Sequence, residues 1–389
     1  MCVCAEQPNF AAIETIAAQR EACSPSCSST IRTARSRTSE ENLFVVGLVI
    51  APSYLGVGAS GKPGAVQPTP CLVGIEACGT AHYWAREITA LGHEVRLLPP
   101  SYVKPYVKRG KTDAADAEAI CEAVTRPSMR FVPIKTAEQQ AVLMLHRTRE
   151  LLVRQRTIAE GDPPEERTAK PSPLVNALRG HMAELGLIAP KGMAKVADLI
   201  ALLLGEEEGA IPALARQALR ALVAELEALD ARVAEVEAAI LAWHKQNELS
   251  RRLATVPGIG PITASAIVAS VTDPTQFRSA RHFAAWLGLV PKQNSSGGKQ
   301  RQGGISKMGN RTLRQLLVLG ATTMIRYARH MATPANAWLR GILERRPARL
   351  AAVAQANKTA RIVWVLLVRG GVYKAPTTAA ALASAEAAA

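Results

Sequence analysis

The feature that most limits how this chain can fold is an apolar run between positions 219 and 243. Leu219, Leu222, Leu226, Leu229, Val233, Val236, Ile240 and Trp243 follow one another at alternating steps of three and four residues. Steps averaging about 3.5 residues place them all on one stripe of a single long helix, with Glu, Asp and Arg filling the positions between. No strand can carry that period. Such a stripe has to be covered: by a second copy in a coiled coil, by an arm of the same chain folding back, or by packing within one helical bundle.

Upstream the period changes. Leu43–Ile50 is a β-type apolar run, Gly58–Pro70 is rich in turn formers, and Cys71–Ile75 reads as a buried strand ending at Glu76. Gly79-Thr80 opens a helix through Ala90, Gly92 stops it, and His93–Leu98 reads as a further strand. Strand, helix and strand at this spacing form a βαβ unit with a parallel sheet. Lys111-Thr-Asp-Ala-Ala-Asp116 starts a helix running to about Val124, and residues 135–157 give an amphipathic helix. Gly161–Pro173 holds four prolines and several charges, so it is a loop or linker, and helix resumes at Leu174. From Leu253 to Val372 the pattern reads as short helices and loops.

The expected fold class is therefore α/β plus all-α, with long coiled-coil helices between the parts. The expected divisions are a disordered or unrelated N-terminal extension over 1–42, an α/β domain over 43–150, linker and coiled coil over 151–250, a helical domain over 251–374 and a frayed tail over 375–389.

Charge is lopsided. Lys and Arg number 47 against 32 Asp and Glu, a net charge of +15 and a pI near 9.8. From Phe277 to Lys374 there are eighteen Lys and Arg and one acid, Glu344. That stretch suits a polyanion, nucleic acid or an anionic membrane surface, although a merely basic protein shares the overall balance. The run Leu43–Tyr54 is too short to span a bilayer, and no apolar core follows a basic start, so the expectation is a cytoplasmic protein with no membrane role. Of seven cysteines, four cluster as Cys2-x-Cys4 and Cys23-x3-Cys27. Zinc sites use tighter spacing and His partners, so free thiols in a reducing compartment are expected.

Four motifs could carry chemistry. Pro257-Gly258-Ile259-Gly260 between apolar helices resembles a helix-hairpin-helix turn, where Gly258 and Gly260 would expose N–H groups to a phosphate; a plain interhelix turn is the alternative. Glu76 sits at a strand end, a usual functional position in open α/β sheets. Asp113 and Asp116 share one helix face, and carboxylates so placed suit Mg2+, though acids in a first turn are also ordinary helix capping. Asn294-Ser-Ser-Gly-Gly-Lys-Gln-Arg301 is a polar, glycine-rich loop, where a serine beside Lys299 and Arg301 could attack a phosphodiester, or simply lie on the surface. Lys307, Arg311 and Arg314 extend the basic run that would meet nucleic acid.

Together these segments resemble a known family. Ile75-Glu-Ala-Cys-Gly-Thr80, Lys111-Thr-Asp-Ala-Ala-Asp-Ala117, Val256-Pro-Gly-Ile-Gly-Pro-Ile-Thr263, Ala285-Trp-Leu-Gly-Leu-Val-Pro291 and Ser295-Ser-Gly-Gly-Lys299 occur in the order seen in transposases of the insertion-sequence-110 family. The resemblance spans roughly Cys71 to Lys374. It implies a RuvC-type (RNase H-like) domain holding Mg2+ with an Asp-Glu-Asp-Asp set, in which Glu76, Asp113 and Asp116 match the last three. It also implies a transposase domain whose serine becomes covalently linked to DNA; Ser296 is the better match and Ser295 the second. A structured guide RNA and assembly into homo-oligomers, here through the coiled coil, are further implications.

Two departures stand out. The family's first Asp falls where this chain has Val49, and no Asp occurs in residues 1–70. The stretch Ile158–Pro173 is extra relative to the family. Both read as marks of a degenerate copy. The expectation is an insertion-sequence transposase by descent, cutting and exchanging DNA strands through a serine assisted by Mg2+. The alternative is a catalytically inactive DNA- or RNA-binding relic.

Overall fold

The computed structural model describes residues 49–51, 70–108, 112–157, 173–188, 194–205, 211–330 and 337–375, which fall into two units divided after Ala137. The readings of residues 1–42, of the Leu43–Tyr54 run apart from 49–51, of the stretch before Pro70, of the 158–172 linker and of the tail from 376 lie outside these residues.

The first unit is built on the βαβ arrangement. β1 (Val49–Ala51), β2 (Leu72–Glu76) and β3 (Glu94–Leu98) form one sheet in that order. β2 and β3 run parallel, with Leu72 beside Glu94 and Glu76 beside Leu98, and α1 (Ala81–Ala90) crosses between them. β1 lies antiparallel on the other side of β2, with Val49 opposite Gly74. Side chains alternate between the faces of a strand, and here both faces are covered. Val73, Ile75 and Leu97 are buried with Ala81, Ala85 and Ile88 of α1. Leu98 is buried with Ala119, Ile120, Ala123 and Val124 of α2 (Asp113–Val124). Gly74 admits that helix: a Cβ there would lie 3.0 Å from Ile120 and 3.2 Å from Val124. This two-sided burial is why β2 reads as an unbroken apolar run.

The second unit, from Glu138, holds the rest of α3 (Ala137–Thr157) and continues through α4 (Pro173–Glu184), α5 (Ala194–Leu204) and α6 (Ala213–Gln246). α6 is 34 residues long and carries the apolar stripe of 219–243, of which Leu219, Leu226, Leu229, Val233 and Ile240 are buried. Leu219, Val223 and Leu226 are buried with Val175, Leu178 and Met182 of α4 and Val196, Leu199 and Leu203 of α5. Farther along, α3 runs antiparallel to α6. The Trp243 indole donates to Glu138 at 2.7 Å, Arg149 pairs with Glu237 at 2.6 Å, and Arg156 with Asp230 at 2.7 Å. Around Leu219–Leu226 the stripe is thus packed against helices of the same chain. Val223 is buried where the strict repeat points to Leu222, because a straight helix of 3.6 residues per turn drifts from a seven-residue repeat.

The remainder is α7 (Glu248–Leu253), α8 (Pro261–Ser270), α9 (Ala280–Trp286), a hairpin of β4 (Pro291–Gln293) and β5 (Gln302–Ile305), then α10 (Arg311–His330), α11 (Ala337–Arg345) and α12 (Ala348–Arg369). The expectation of short helices and loops is corrected here: α10 has 20 residues, α12 has 22, and an antiparallel hairpin interrupts the helices. Leu313, Leu317, Ala321, Ile325 and Ala328 form a continuous buried stripe that carries α10 past Gly320 and Thr322-Thr323, residues of low helix propensity. α12 presents Ala351, Ala352, Ala356 and Ala360 to the core, so its neighbours pack close. Among the described residues no helix is long and apolar enough to cross a membrane.

Candidate functional site

In the first unit, Glu76 is the last residue of β2 and is half-buried. Asp113 and Asp116 lie in the first turn of α2, exposed and half-buried respectively. The cap of that helix is Thr112, whose hydroxyl accepts from the Ala115 N–H at 3.2 Å. Neither aspartate is therefore needed as the cap, although both suit the positive end of the helix. Among the described residues no three His, Cys, Asp or Glu side chains come together as a group able to hold a metal ion. Val49 is aligned with Gly74 in the sheet. The carboxylates as placed do not form a complete metal cradle.

In the second unit, the Ser-Ser-Gly-Gly-Lys loop is the tip of the β4–β5 hairpin. Ser296 and Lys299 face each other across Gly297-Gly298, whose φ values of +54° and +75° are those of a two-residue primed turn. The Lys299 N–H donates to the Ser296 carbonyl at 3.1 Å. Ser295 is tied into the hairpin, its hydroxyl accepting from the Arg301 N–H at 3.3 Å. Among the described residues the Ser296 hydroxyl has no hydrogen-bond partner. The whole tip from Pro291 to Gly304 is exposed. Directly opposed residues of an antiparallel pair project to the same side, so the Lys299 ammonium accompanies the Ser296 hydroxyl.

The glycine turn divides its labour. Gly258, at φ +83°, is crowded: a Cβ there would lie 2.9 Å from the Met324 sulfur and 3.1 Å from the Gly320 carbonyl oxygen. Gly260 is exposed, has an extended φ of −91°, precedes α8, and faces open space. One turn into α8, the buried Ser265 hydroxyl donates to the Pro261 carbonyl at 2.8 Å and lies 3.1 Å from His146 Nε2 of α3. With its only proton committed, Ser265 accepts from His146, which places the imidazole proton on Nε2. Burial first, and Arg149 beside it second, push the His146 pKa down to about 4.

The basic residues also separate. Lys299, Arg301, Lys307 and Arg311 are exposed. Arg314 works inside the fold, donating to the carbonyls of Leu287 at 2.9 Å and Met308 at 3.0 Å. Burial, then Arg311, lowers its pKa. The clamp holds a tight crossing in which Gly288 and Gly309 leave no room for a side chain: a Cβ on Gly309 would sit 1.8 Å from the Trp286 carbonyl oxygen. Pro257 and Gly258 of the glycine turn, with Thr323, Met324 and Tyr327 of α10, line a cleft.

Known proteins align with these elements. A family model described as Transposase, of the DEDD IS110 kind, matches residues 62–160, and the model described as Transposase IS116/IS110/IS902 family matches residues 250–335. A probable family 20 transposase of Pseudomonas aeruginosa is 50% identical over 309 residues, covering 79% of this chain and 87% of that protein. The transposase for insertion sequence element IS1111A of Coxiella burnetii is 39% identical over 321 residues, 82% of each chain. The transposase for insertion sequence element IS1328 of Yersinia enterocolitica is 38% identical over 304 residues, covering 78% of this chain and 86% of that one.

Proposed function

Because the chain belongs to the IS116/IS110/IS902 family of transposases, we propose that it cuts and rejoins insertion-sequence DNA through the hydroxyl of Ser296. The observation that carries the choice of serine is the Ser296 hydroxyl, without a hydrogen-bond partner among the described residues and held across a two-glycine turn from Lys299, while the Ser295 hydroxyl accepts from the Arg301 N–H within the hairpin. Ser296 Oγ attacks a backbone phosphorus. The bond from phosphorus to one strand oxygen breaks, and that oxygen leaves as a hydroxyl carrying a proton. A phosphodiester is exchanged for a protein–DNA diester, so the bond energy is conserved. A hydroxyl from a second strand then attacks the same phosphorus and releases the serine. Lys299 and Arg301 balance the extra charge on the phosphoryl oxygens during each displacement.

The first unit is read as the RuvC-like part. Glu76, Asp113 and Asp116 are the residues that would hold Mg2+, which would supply electrostatic stabilisation of the phosphate. Among the described residues they form no three-donor group, so no step above depends on the ion. The glycine turn is read as a helix-hairpin-helix phosphate contact through Gly260, with Gly258 serving the packing. A structured guide RNA and assembly of several copies complete the reading. Leu219, Val223 and Leu226 are packed against α4 and α5, so copies would meet along the rest of the α6 stripe or through other surfaces.

The second reading, an inactive nucleic-acid-binding relic, is favoured by Val49. One experiment separates the two. The protein is incubated with DNA bearing its element's ends, the flanking transcript and Mg2+, and denaturing gels are searched for a covalent protein–DNA species. The expected adduct persists in Ser295→Ala and vanishes in Ser296→Ala. An adduct that survives Ser296→Ala overturns the serine assignment. No adduct in the wild type, with one in Val49→Asp, establishes the relic.

A further inference from the structure

The cleft beside the glycine turn is built from two elements locked together. It is lined by Met324 of α10, whose sulfur accepts from the Gln355 side-chain N–H at 3.3 Å; Gln355 is itself buried in α12 and also donates to Thr359. One wall is Pro257-Gly258, pressed against α10 at Gly320. The other wall is Tyr327, an aromatic ring left 62% exposed, with Thr323 one turn before it. Leu319, one turn earlier again, is 65% exposed. Arg326 shares a face with Thr323, and His330 with Tyr327, each three residues away.

We propose that this cleft seats a single unpaired base of a DNA strand, stacked on Tyr327 with the Thr323 hydroxyl at its edge, while Arg326 and His330 lie along the flanking phosphates. The inference rests on the transposase reading and extends it by naming where an unpaired strand is held. A base still stacked in a duplex has both faces covered by its neighbours, whereas an unpaired base offers a face to an exposed ring such as Tyr327. Charge argues for this occupant over a second copy of the chain. Residues 277–374 carry a single carboxylate, Glu344, so a copy presenting this same region would bring like charge to Arg326 and Arg329. A DNA strand brings opposite charge at every residue step.

The test uses the full chain with two probes: a mixed-sequence single-stranded oligodeoxynucleotide containing 5-iododeoxyuridine, and the corresponding unmodified duplex. Irradiation at the iodouracil band is expected to cross-link Tyr327, located by mass spectrometry of the digested adduct. Tyr327→Leu is expected to weaken single-strand binding roughly tenfold and leave duplex binding within about twofold, while Tyr327→Trp retains both. Because Tyr327 is exposed, an unchanged circular dichroism spectrum confirms that the variants are folded. Duplex binding without any Tyr327 cross-link, or single-strand binding indifferent to Tyr327→Leu, overturns the cleft and leaves the transposase reading standing. Failure to bind either probe at low salt overturns the cleft, and the covalent-adduct assay with transcript and Mg2+ decides the transposase reading separately. A change in sedimentation of the free protein in Tyr327→Leu, with strand affinity unmoved, assigns the face to a second copy and also overturns the proposal.

Discussion

The backbones of Gly258 and Gly320 meet directly: a Cβ on Gly320 would sit 1.8 Å from the Gly258 carbonyl oxygen. The turn between α7 and α8 is thereby fastened to the middle of α10. Gly320→Ala is expected to destabilise the second unit by about 3 kcal/mol or more, because backbone must move on both sides of the contact. Gly260→Ala, on extended backbone facing open space, is expected to stay within about 0.5 kcal/mol of wild type. Urea unfolding of the two variants checks the contrast.

Stability should depend on pH through His146. Its imidazole has a folded pKa near 4 against an ordinary 6.5, so the unfolded chain binds the proton more readily. The contribution is fully present above about pH 6.5 and is lost as pH falls toward 4. Its full size is roughly 3 kcal/mol. The urea midpoint of the wild type is expected to fall between about pH 7 and pH 5, and that of His146→Gln to fall less.

Arg311 and Arg314 sit one turn apart and should respond differently. Arg314→Ala leaves the carbonyls of Leu287 and Met308 without their donor and is expected to cost about 2–3 kcal/mol of stability. Arg311→Ala is expected to leave stability within about 0.5 kcal/mol and to lower the slope of log affinity against log salt for duplex DNA by about 1. Thermal melts and salt-titrated anisotropy measure the two effects separately.

The stripe on α6 should behave as core. Leu226→Asp places a charge where only 4% of the side chain is exposed, among residues of α4 and α5. The expected result is a loss of roughly 4 kcal/mol or unfolding of this helical arm, seen by circular dichroism. A folded protein that merely changes its sedimentation coefficient would show that the stripe is an interface between copies instead.

The βαβ unit was legible because its strands are buried on both faces and its helix ends at Gly92, which takes φ +91°. The length of α6 was legible from its period, but a period says that a stripe is covered and not what covers it. Leu178 and Val196 reach it from segments with no repeat of their own. The β4–β5 hairpin was missed because Pro-Lys-Gln and Gln-Gly-Gly-Ile are short, exposed and without alternation. Only Gly297-Gly298 carried a hairpin signal. Arg314 looked like any cation of a basic run; its role depends on carbonyls 27 and 6 residues away that the chain brings round. The cleft at Tyr327 depends on Gly258 meeting Gly320, a pairing that no local pattern encodes. For the carboxylates, sequence gave residue types and helix position, while their failure to gather into one group is a matter of three dimensions.

The antiparallel pairing of α3 with α6 also dictates a timetable. Glu138 meets Trp243 across 105 positions, Arg156 meets Asp230 across 74, and the Thr312 hydroxyl reaches Glu150 across 162. On the ribosome, the strands and helices before Ala137 can assemble as soon as they emerge. α3 then waits, with Val142 and His146 uncovered, until some hundred residues more have been made. A stop introduced between 158 and 172 would release a nascent chain whose α3 lacks both α6 and α8. Such a fragment is a substrate for chaperones and proteases long before it could meet DNA.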